Sequence, residues 1–288
     1  MGTMPRMADR FVVVTGASTG IGRATALRLD REGWRVFAGV RKPADGEALE
    51  KAASSRLTPV ELDVTDEAQI ARAFEQVADS AGSVGLAAVV NNAGVGMGGP
   101  VEYLPLARWR TQFEINVFGQ VAVTKAAMPL LRIAKGRIVF IGSNSGRVAT
   151  PLMAPYSASK FAVEGLADAL RMELHGTGLE VVVIEPGAVK TDIWDKGRAQ
   201  VEELEQELPA EAFDRYRELI DAIRKGIDMQ DKNGVDPEKV ADAVMTALTA
   251  SRPRARYQVG VDAKVSVALS RVMPHRAMDA ALRRVMRP

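Results

Sequence analysis

The sequence predicts a single α/β domain with a doubly wound parallel sheet, the Rossmann fold, of about seven strands. Short apolar runs alternate with longer helical segments along most of the 288 residues. The apolar runs are continuous rather than alternating with polar residues, which is typical of parallel strands covered by helices on both faces. A glycine-rich turn also joins the first strand to the first helix, as in doubly wound nucleotide-binding folds.

The elements follow one another in a regular order. Each strand is a short run dominated by apolar residues, and each helix is a longer amphipathic segment. Thr65 or Asp66 is a plausible N-cap for the third helix. Strands are expected at 11–14, 35–40, 58–64, 86–90, 138–141, 180–184 and 255–261. Helices are expected at 20–31, just after 42, and at 66–81, 106–133, 154–175 and 237–250.

Three segments depart from this rhythm. Residues 1–9 have no apolar periodicity and are expected to form a mobile tail before a catalytic domain at 10–262. Residues 192–235 are highly charged and helical in composition, and they follow the sixth strand, where a substrate lid would sit. A solvated helix pair is the alternative for that insertion. Residues 263–288 form a basic amphipathic extension with six Lys or Arg and one acid, Asp279.

Composition excludes several classes of function. The chain has no cysteine and two histidines, His175 and His275, so disulfides, thiol chemistry and a histidine-rich metal site are not expected. The formal net charge of +2 is too balanced to argue for nucleic acid. No uninterrupted apolar run is long enough to span a bilayer, and the first residues lack the apolar core of a signal peptide. A cytoplasmic location is the default expectation.

A tyrosine and a lysine four residues apart are the first sign of catalysis. Tyr156 and Lys160 project from one face of a predicted helix, and Ser143 ends a strand thirteen residues earlier. The ammonium favours the phenolate and is expected to lower the pKa of Tyr156, which would let the phenol exchange a proton near neutral pH. The spacing alone also occurs on solvated helix faces.

The glycine-rich turn predicts a nucleotide site. Its spacing is Gly-x-x-x-Gly-x-Gly over residues 16–22, and glycines there let the backbone approach a pyrophosphate at a helix N-terminus. Arg23 and Ala24 stand where a phosphate-binding P-loop would need Lys and Ser or Thr. Arg41, rather than an acid, follows the second strand, and a guanidinium favours the 2′-phosphate of NADP. NAD is the alternative cofactor.

Together these motifs resemble those of the classical short-chain dehydrogenases/reductases. The matching segments occur in the family's order, and the resemblance spans about residues 10–260. The tail after the last strand is similar to those of retinol and 17β-hydroxysteroid dehydrogenase-like members. The matching segments are residues 15–22, 91–94, Asn116, Ser143, Tyr156, Lys160 and 186–191.

The resemblance implies a role for each matching residue. Tyr156 would donate or accept the proton at the substrate oxygen, Lys160 would assist it and bind the nicotinamide ribose, and Ser143 would hydrogen-bond the carbonyl. Asn116 would hold a water in a proton relay. The implied catalytic residues are Asn116, Ser143, Tyr156 and Lys160. The implied cofactor residues are Gly16, Ser18, Thr19, Gly20, Ile21, Gly22, Arg41, Asp63, Val64, Asn91, Ala93, Gly94, Tyr156, Lys160, Pro186, Gly187, Val189 and Thr191, with Asn92 structural.

The implied activity is hydride transfer between a nicotinamide cofactor, NADP preferred, and an alcohol or carbonyl group of an apolar small molecule (EC 1.1.1.-). A nucleotide-binding redox sensor without turnover is the alternative. A serine hydrolase is disfavoured because Asn144 occupies the centre of Gly142-Ser-Asn-Ser-Gly146, where the nucleophile elbow needs Ser. The resemblance implies a homodimer or homotetramer. For the C-terminal extension, packing over the cleft or on a neighbouring subunit is favoured over contact with a membrane surface.

Overall fold

Seven parallel strands form one sheet within residues 10–285, the part of the chain that the computed structural model describes. Their order across the sheet is β3-β2-β1-β4-β5-β6-β7. The strand order reverses between β1 and β4, which places a crevice at the carboxyl ends of these two strands. The strands are β1 (Phe11–Val14), β2 (Arg35–Val40), β3 (Leu57–Glu61), β4 (Ala88–Asn91), β5 (Arg137–Ile141), β6 (Glu180–Pro186) and β7 (Arg256–Val259). The predicted fold class is confirmed.

Helices follow or connect these strands. Asp66 caps α3 by accepting hydrogen bonds from the backbone N–H groups of Ala68 and Gln69. Pro43 and Pro237 start α2 and α9, where a missing N–H costs nothing. The helices are α1 (Gly20–Arg31), α2 (Pro43–Glu50), α3 (Glu67–Ala81), α4 (Leu106–Phe113), α5 (Gly119–Ala134), α6 (Ala154–Glu173), α7 (Ile193–Glu207), α8 (Ala210–Asn233), α9 (Pro237–Thr249), α10 (Val261–Val272) and α11 (His275–Val285).

Two apolar cores lie on opposite faces of the sheet. One contains residues of α3, α5 and α6, including Phe74, Leu131 and Val163. The other contains residues of α1, α2 and α9, including Leu29 and Val244. Successive side chains of a strand point to opposite faces, so both sets of strand residues are buried. This burial explains why the strands are continuous apolar runs.

The predicted single helix over 106–133 is interrupted in the structure. A π turn at Glu114–Phe118 separates α4 from α5, and such turns occur frequently at functional sites. The whole stretch Leu106–Ala134 is also long and apolar enough to cross a membrane by length and composition. That differs from the expectation of no spanning segment. The stretch packs against α3, α6 and β4, as the core helix of an α/β fold does.

The insertion after β6 forms the helix pair α7 and α8. Arg108 bonds both carboxylate oxygens of Glu207 at 3.0 Å, and Tyr216 donates to Glu102 at 2.9 Å. Beneath these contacts, residues 104, 204, 208 and 212 form a small separate core. The insertion is therefore anchored to the segment that leads into α4, and it covers the carboxyl edge of the sheet.

The boundary predicted between 262 and 263 falls inside α10. Ala263 and Val267 of this helix are buried, and the helix contacts β7 and the turn after β5. Its outer face exposes apolar side chains at 261, 265, 269 and 272. The first part of the predicted extension thus belongs to the folded domain. The predicted tail at 1–9 and the last residues, 286–288, lie outside the described residues.

Candidate active site

One large cavity of about 890 Å³ opens at the carboxyl edge of the sheet. It extends from the glycine-rich turn after β1, past the end of β5, to the helices α7 and α8. A cavity at the reversal of strand order is where doubly wound folds bind ligands. The predicted nucleotide site and the predicted catalytic site are therefore two parts of one cleft.

The glycine-rich turn needs glycine at each of its three positions. Gly16 and Gly20 have φ angles of +63° and +55°, which side chains adopt at a cost. A Cβ atom on Gly22 would lie 2.2 Å from the carbonyl oxygen of Gly16. The turn is fastened by Asn92, whose side-chain amide donates to the carbonyl oxygens of Thr15 and Gly16 at 2.9 and 3.0 Å. Asn92 thus has the structural role expected of it.

This turn fits a pyrophosphate-containing cofactor. The first turn of α1 carries no acidic side chain, and no side chain caps its N-terminus. Its backbone N–H groups therefore remain available, and the positive end of the helix dipole faces the cavity. The glycines add no side chain that would fill the space. The donor set of the turn matches what a nicotinamide dinucleotide requires.

Most of the predicted cofactor residues line the cavity. The lining includes Gly16, Ser18, Thr19, Gly20, Ile21, Gly22, Arg41, Asp63, Val64, Ala93, Gly94, Tyr156, Lys160, Pro186, Gly187, Val189 and Thr191. Asn91 is the exception and a correction. Its side chain is fully buried and donates to Thr124 Oγ1 at 2.9 Å, because the last residue of β4 points into the core, and the next residue, Asn92, lines the cavity instead.

Arg41 and Asp63 line the cavity just after β2 and β3. Arg41 is exposed and makes no ion pair with any residue in the range 10–285. Asp63 Oδ1 accepts hydrogen bonds from the backbone N–H and hydroxyl of Thr65, at 2.9 and 2.7 Å. One residue is a cation without a protein partner, and the other is an acid held in place by its own turn.

Tyr156 and Ser143 meet where β5 ends and α6 begins. Ser143 follows β5 and is buried, and its Oγ accepts from the backbone N–H of Ser145 at 3.1 Å. Burial raises the pKa of Tyr156, and a hydrogen bond with the side chain of Ser143 lowers it by less. The expectation of a net lowered tyrosine pKa is therefore contradicted in this structure. The phenol is held in its neutral, proton-donating form.

Lys160 lies beside Tyr156 and is itself a buried, hydrogen-bonded group. Its Nζ lies 5.7 Å from the centre of the Tyr156 ring and donates to the carbonyl oxygen of Ile141 at 2.8 Å. Burial lowers the pKa of Lys160 to about 8, against a smaller opposing effect of Glu164. The lysine is thus a buried group fixed to the end of β5, and burial brings its pKa closer to neutral pH.

Asn116 lies in the π turn and does not line the cavity with its side chain. Its Oδ1 accepts from the N–H of Val95 at 2.8 Å, and its Nδ2 donates to the Val95 carbonyl and to Ser159 Oγ at 2.9 and 3.1 Å. The side chain therefore fixes the loop after β4 to α6. The water-holding role implied by the resemblance stays a prediction.

The segment 186–190, which follows β6, contributes Pro186, Gly187 and Val189 to the cavity wall. Gly187 donates to Val259 and Lys190 to Val235, both at 2.9 Å. Thr191 lies so close to Gly20 that a Cβ atom there would be 2.9 Å from the threonine methyl group. The turns after β1 and β6, far apart in sequence, thus meet across the cavity.

Two sets of cavity residues were not predicted from the sequence. Ile220, Ile223 and Ile227 of α8 line the substrate side, together with Val201 and Leu204 of α7 and Leu208 just after it. The three isoleucines recur at helical spacing within a charged segment, and that pattern could have identified them. Arg110, Thr111 and Glu114 of the α4 region line the other side. They carry no comparable signal in the sequence.

The fold and the site define a dehydrogenase or reductase that depends on a nicotinamide cofactor. The family model described as "short chain dehydrogenase" matches residues 10–202. The chain belongs to this family, and it is an oxidoreductase that transfers a hydride between a nicotinamide cofactor and its substrate.

Individual relatives cover nearly the whole chain. An "NADPH-dependent 3-dehydrocapnine reductase" of Ornithobacterium rhinotracheale is 36% identical, over 94% of this chain and 95% of the relative. "Retinol dehydrogenase 5" of Mus musculus is also 36% identical, over 96% and 88%. A short chain dehydrogenase from Burkholderia cenocepacia J2315, solved in complex with NADP, superimposes with a TM-score of 0.73 at 27% identity, over 96% and 98% of the two chains.

Proposed function

We propose that this protein reduces a ketone group on a bulky, predominantly apolar substrate and uses NADPH as the reductant. The observation that carries the proposal is the placement of Tyr156. This neutral phenol stands beside Ser143, between the nucleotide part of the cleft and an aliphatic part. No observation favours the alternative of a redox sensor without turnover.

The residues of the chain divide the reaction between them. When bound, the reduced cofactor supplies the hydride for the substrate carbon. Ser143 and Tyr156 bind the carbonyl oxygen, and the Tyr156 hydroxyl donates the proton that this oxygen needs as it becomes an alcohol. Lys160 stabilises the resulting phenolate electrostatically from within the buried site. The lid helices α7 and α8 line the substrate side of the cavity, where they would shield the reacting atoms from water.

The substrate side of the cavity supports an apolar ligand. Its walls are formed by aliphatic residues of α7 and α8 and by Met153 and Leu152. Leu152 has a φ angle of +61° and accepts from the backbone N–H of Gly99 at 2.6 Å. A leucine held in this left-handed conformation indicates a wall whose shape is imposed by its surroundings. A relative named for retinol, an apolar alcohol, fits the same class.

Arg41 supports NADP over NAD. It is an exposed cation on the cavity wall at the end of β2, where NAD-binding proteins carry an acid. A relative is named as NADPH-dependent, and a similar structure contains NADP. Thr19 stands just before the second glycine of the turn, where NADP-using members often carry a basic residue. The specificity therefore rests on Arg41, with Lys42 beside it.

The substitution Tyr156→Phe tests the proposed function. We expect kcat for reduction of apolar ketones to fall by about 10²–10⁴-fold, because the proton donor is lost. The Kd for NADPH is expected to stay within twofold of the unchanged protein. Steady-state kinetics on a panel of ketones, together with fluorescence titration of NADPH, measures both quantities.

Tyr257→Phe is the matched control. This tyrosine lies on β7 and its hydroxyl accepts from the backbone N–H of Arg254 at 3.0 Å, away from the cleft. It should retain turnover. If Tyr156→Phe turns over at the rate of the unchanged protein, then Tyr156 is not the proton donor and the mechanism fails.

We also propose that the protein assembles into a homodimer or homotetramer through α5 and α6. Both helices pack on the sheet with one face, while apolar side chains remain exposed on or next to them, including Phe118, Phe161 and Met172. Met172 is 75% exposed, although it belongs to a helix whose inner face is core. Exposed apolar patches of this kind mark contact surfaces.

A further inference from the structure

The turn after β6 is held almost entirely by backbone hydrogen bonds. The N–H of Gly187 donates to Val259, the carbonyl of Ala188 accepts from Val235, and the N–H of Lys190 donates to Val235, each at 2.9 Å. The N–H of Ala188 is different. It donates to a side chain, Asp262 Oδ2, at 2.7 Å. Asp262 is 74 residues further along the chain, in the first turn of α10.

The Asp262 carboxylate occupies a slot that exists only because two neighbours are glycines. A Cβ atom on Gly187 would lie 2.1 Å from Oδ2 of Asp262. A Cβ atom on Gly260 would lie 2.4 Å from Oδ1. Gly260 also has a φ angle of +101°, which disfavours any other residue. The carboxylate therefore lies against both glycines, although Asp262 as a residue is exposed, and a side chain one methylene longer would have to move its carboxylate away from the 2.7 Å contact with the Ala188 N–H.

The same face of α10 also reaches the catalytic serine. Ser266 lies one helical turn after Asp262, and its Oγ accepts from Asn144 Nδ2 at 3.4 Å. Asn144 Oδ1 in turn accepts from Ser143 Oγ at 3.2 Å. Residues four apart lie on one face of a helix. Buried Ala263 and Val267 fix the rotation of α10, so both contacts are set together.

We infer that Asp262 is a positioning residue that fixes the turn 186–188 against the nicotinamide end of the cleft. Helix α10, which follows β7, then helps to position the cofactor site. The inference rests on the cofactor-binding role that the family resemblance implies for Pro186, Gly187, Val189 and Thr191. Without the Asp262 acceptor, the Ala188 N–H has no partner in a half-buried turn, and the turn loses one of its fixed points.

Three variants of Asp262 separate the effect of its geometry from the effect of its charge. Asp262→Asn keeps an acceptor oxygen of the right reach but removes the charge. Asp262→Glu keeps the charge at the start of α10 but is one methylene too long for the slot. Asp262→Ala removes both features. Asp279→Ala, in α11, removes the other acid of the C-terminal segment and serves as the matched control.

Two measurements apply to the full-length protein. One is the Kd for NADPH by fluorescence titration, and the other is hydrogen exchange of the peptide that contains Ala188, with and without NADPH. We expect Asp262→Ala and Asp262→Glu to raise the Kd about tenfold, which corresponds to about 1.4 kcal/mol. The Ala188 peptide of the free protein should exchange faster in both. Asp262→Asn and Asp279→Ala should match the unchanged protein.

Two results would overturn the inference. One is a Kd within twofold of the unchanged protein for both Asp262→Ala and Asp262→Glu. The other is an equal loss in Asp262→Asn and Asp262→Ala, since that would assign the effect to a charge at the helix N-terminus. If Asp262→Ala does not fold, Gly187→Ala disturbs the same contact between the Asp262 carboxylate and the turn. Its methyl group must displace the carboxylate, so normal NADPH binding by that variant would also refute the inference.

The experiment is independent of the proposed reaction. Both readouts are made without a ketone substrate and without turnover. If Tyr156→Phe remains active, the proposed mechanism fails, while the binding and exchange results for Asp262 keep their meaning.

Discussion

Lys160, the neighbour of Tyr156, is a buried and hydrogen-bonded lysine rather than a free surface ammonium. Its Nζ is bound to the Ile141 carbonyl, and burial lowers its pKa to about 8. A lysine with such a pKa exchanges its proton near neutral pH, unlike an exposed one. Burial is thus the main cause of the pKa shifts of both Tyr156 and Lys160, which lie close to the end of β5.

At the scale of a single residue, Arg41 is the residue that we propose to set the cofactor preference. We expect Arg41→Ala to raise the KM for NADPH about tenfold to a hundredfold and to leave the KM for NADH unchanged. The physical reason is that a hydrogen bond to a charged group contributes about 1.5–3 kcal/mol, and only NADPH carries the 2′-phosphate. Steady-state kinetics with both cofactors, at low ionic strength, measures the change.

Lys42→Ala is the control for Arg41, because Lys42 is the adjacent cation and does not line the cavity. Its effect on the KM for NADPH should be small. An equal rise in KM for NADPH and NADH in Arg41→Ala would show a general effect on the site and would contradict the assignment.

At the scale of the elements, a buried ion cluster joins four segments that build the site. Arg147, just after the Ser143 turn, bonds Glu164 of α6 at 2.7 Å and Glu185 of β6 at 2.9 Å. Arg256 of β7 bonds Glu164 from the other side at 2.9 Å. Glu164 lies one turn after Lys160, and Glu185 directly precedes Pro186. The cluster therefore fixes α6, β6 and β7 relative to one another.

Glu164 makes this cluster sensitive to pH. Burial and the neighbouring Glu185 raise its pKa to about 7, against the opposing effects of Arg147 and Arg256. The folded protein then binds more protons than the unfolded chain between about pH 4.5 and pH 7. The contribution of Glu164 to the free energy of unfolding is largest below that pH window, and it declines as the pH rises through the window.

We expect Glu164→Gln to flatten this decline. The amide cannot release a proton, so the free energy of unfolding should change less between pH 5 and pH 7 than in the unchanged protein. Urea unfolding at several pH values measures it. Glu173→Gln, at the exposed end of the same helix, is the control and should keep the slope. A Glu164→Gln slope equal to that of the unchanged protein would contradict the raised pKa.

At the scale of the whole molecule, the apolar surface next to α5 and on α6 predicts self-association. We expect the double variant Phe118→Glu/Met172→Glu to sediment as a monomer at concentrations where the unchanged protein is dimeric or larger, because buried like charges are costly at an interface. Sedimentation velocity measures the difference.

Met229→Glu is the control for assembly, since Met229 is 63% exposed on the lid helix α8 and not on α5 or α6. It should assemble as the unchanged protein does. A monomeric unchanged protein at micromolar concentration would refute the proposed assembly.

The sequence by itself determined the class of fold, most of the cofactor cleft and the Ser143, Tyr156 and Lys160 triad. These features depend on local chemistry: glycines in a strand-to-helix turn, continuous apolar strands, and the helical spacing of Tyr156 and Lys160. Local patterns of this kind persist in the folded structure because the backbone geometry that produces them is itself local.

Only the tertiary structure decided the features that depend on contacts between distant residues. It placed Asn91 in the core and Asn92 on the cavity wall, and it interrupted the long helix with a π turn at 114–118. It reversed the expected direction of the Tyr156 pKa shift, because burial, which the sequence does not show, outweighs the hydrogen bond with Ser143. It also brought Asp262 to Ala188 across 74 residues. Such pairings are set by packing of the whole sheet and are not encoded in any short stretch of sequence.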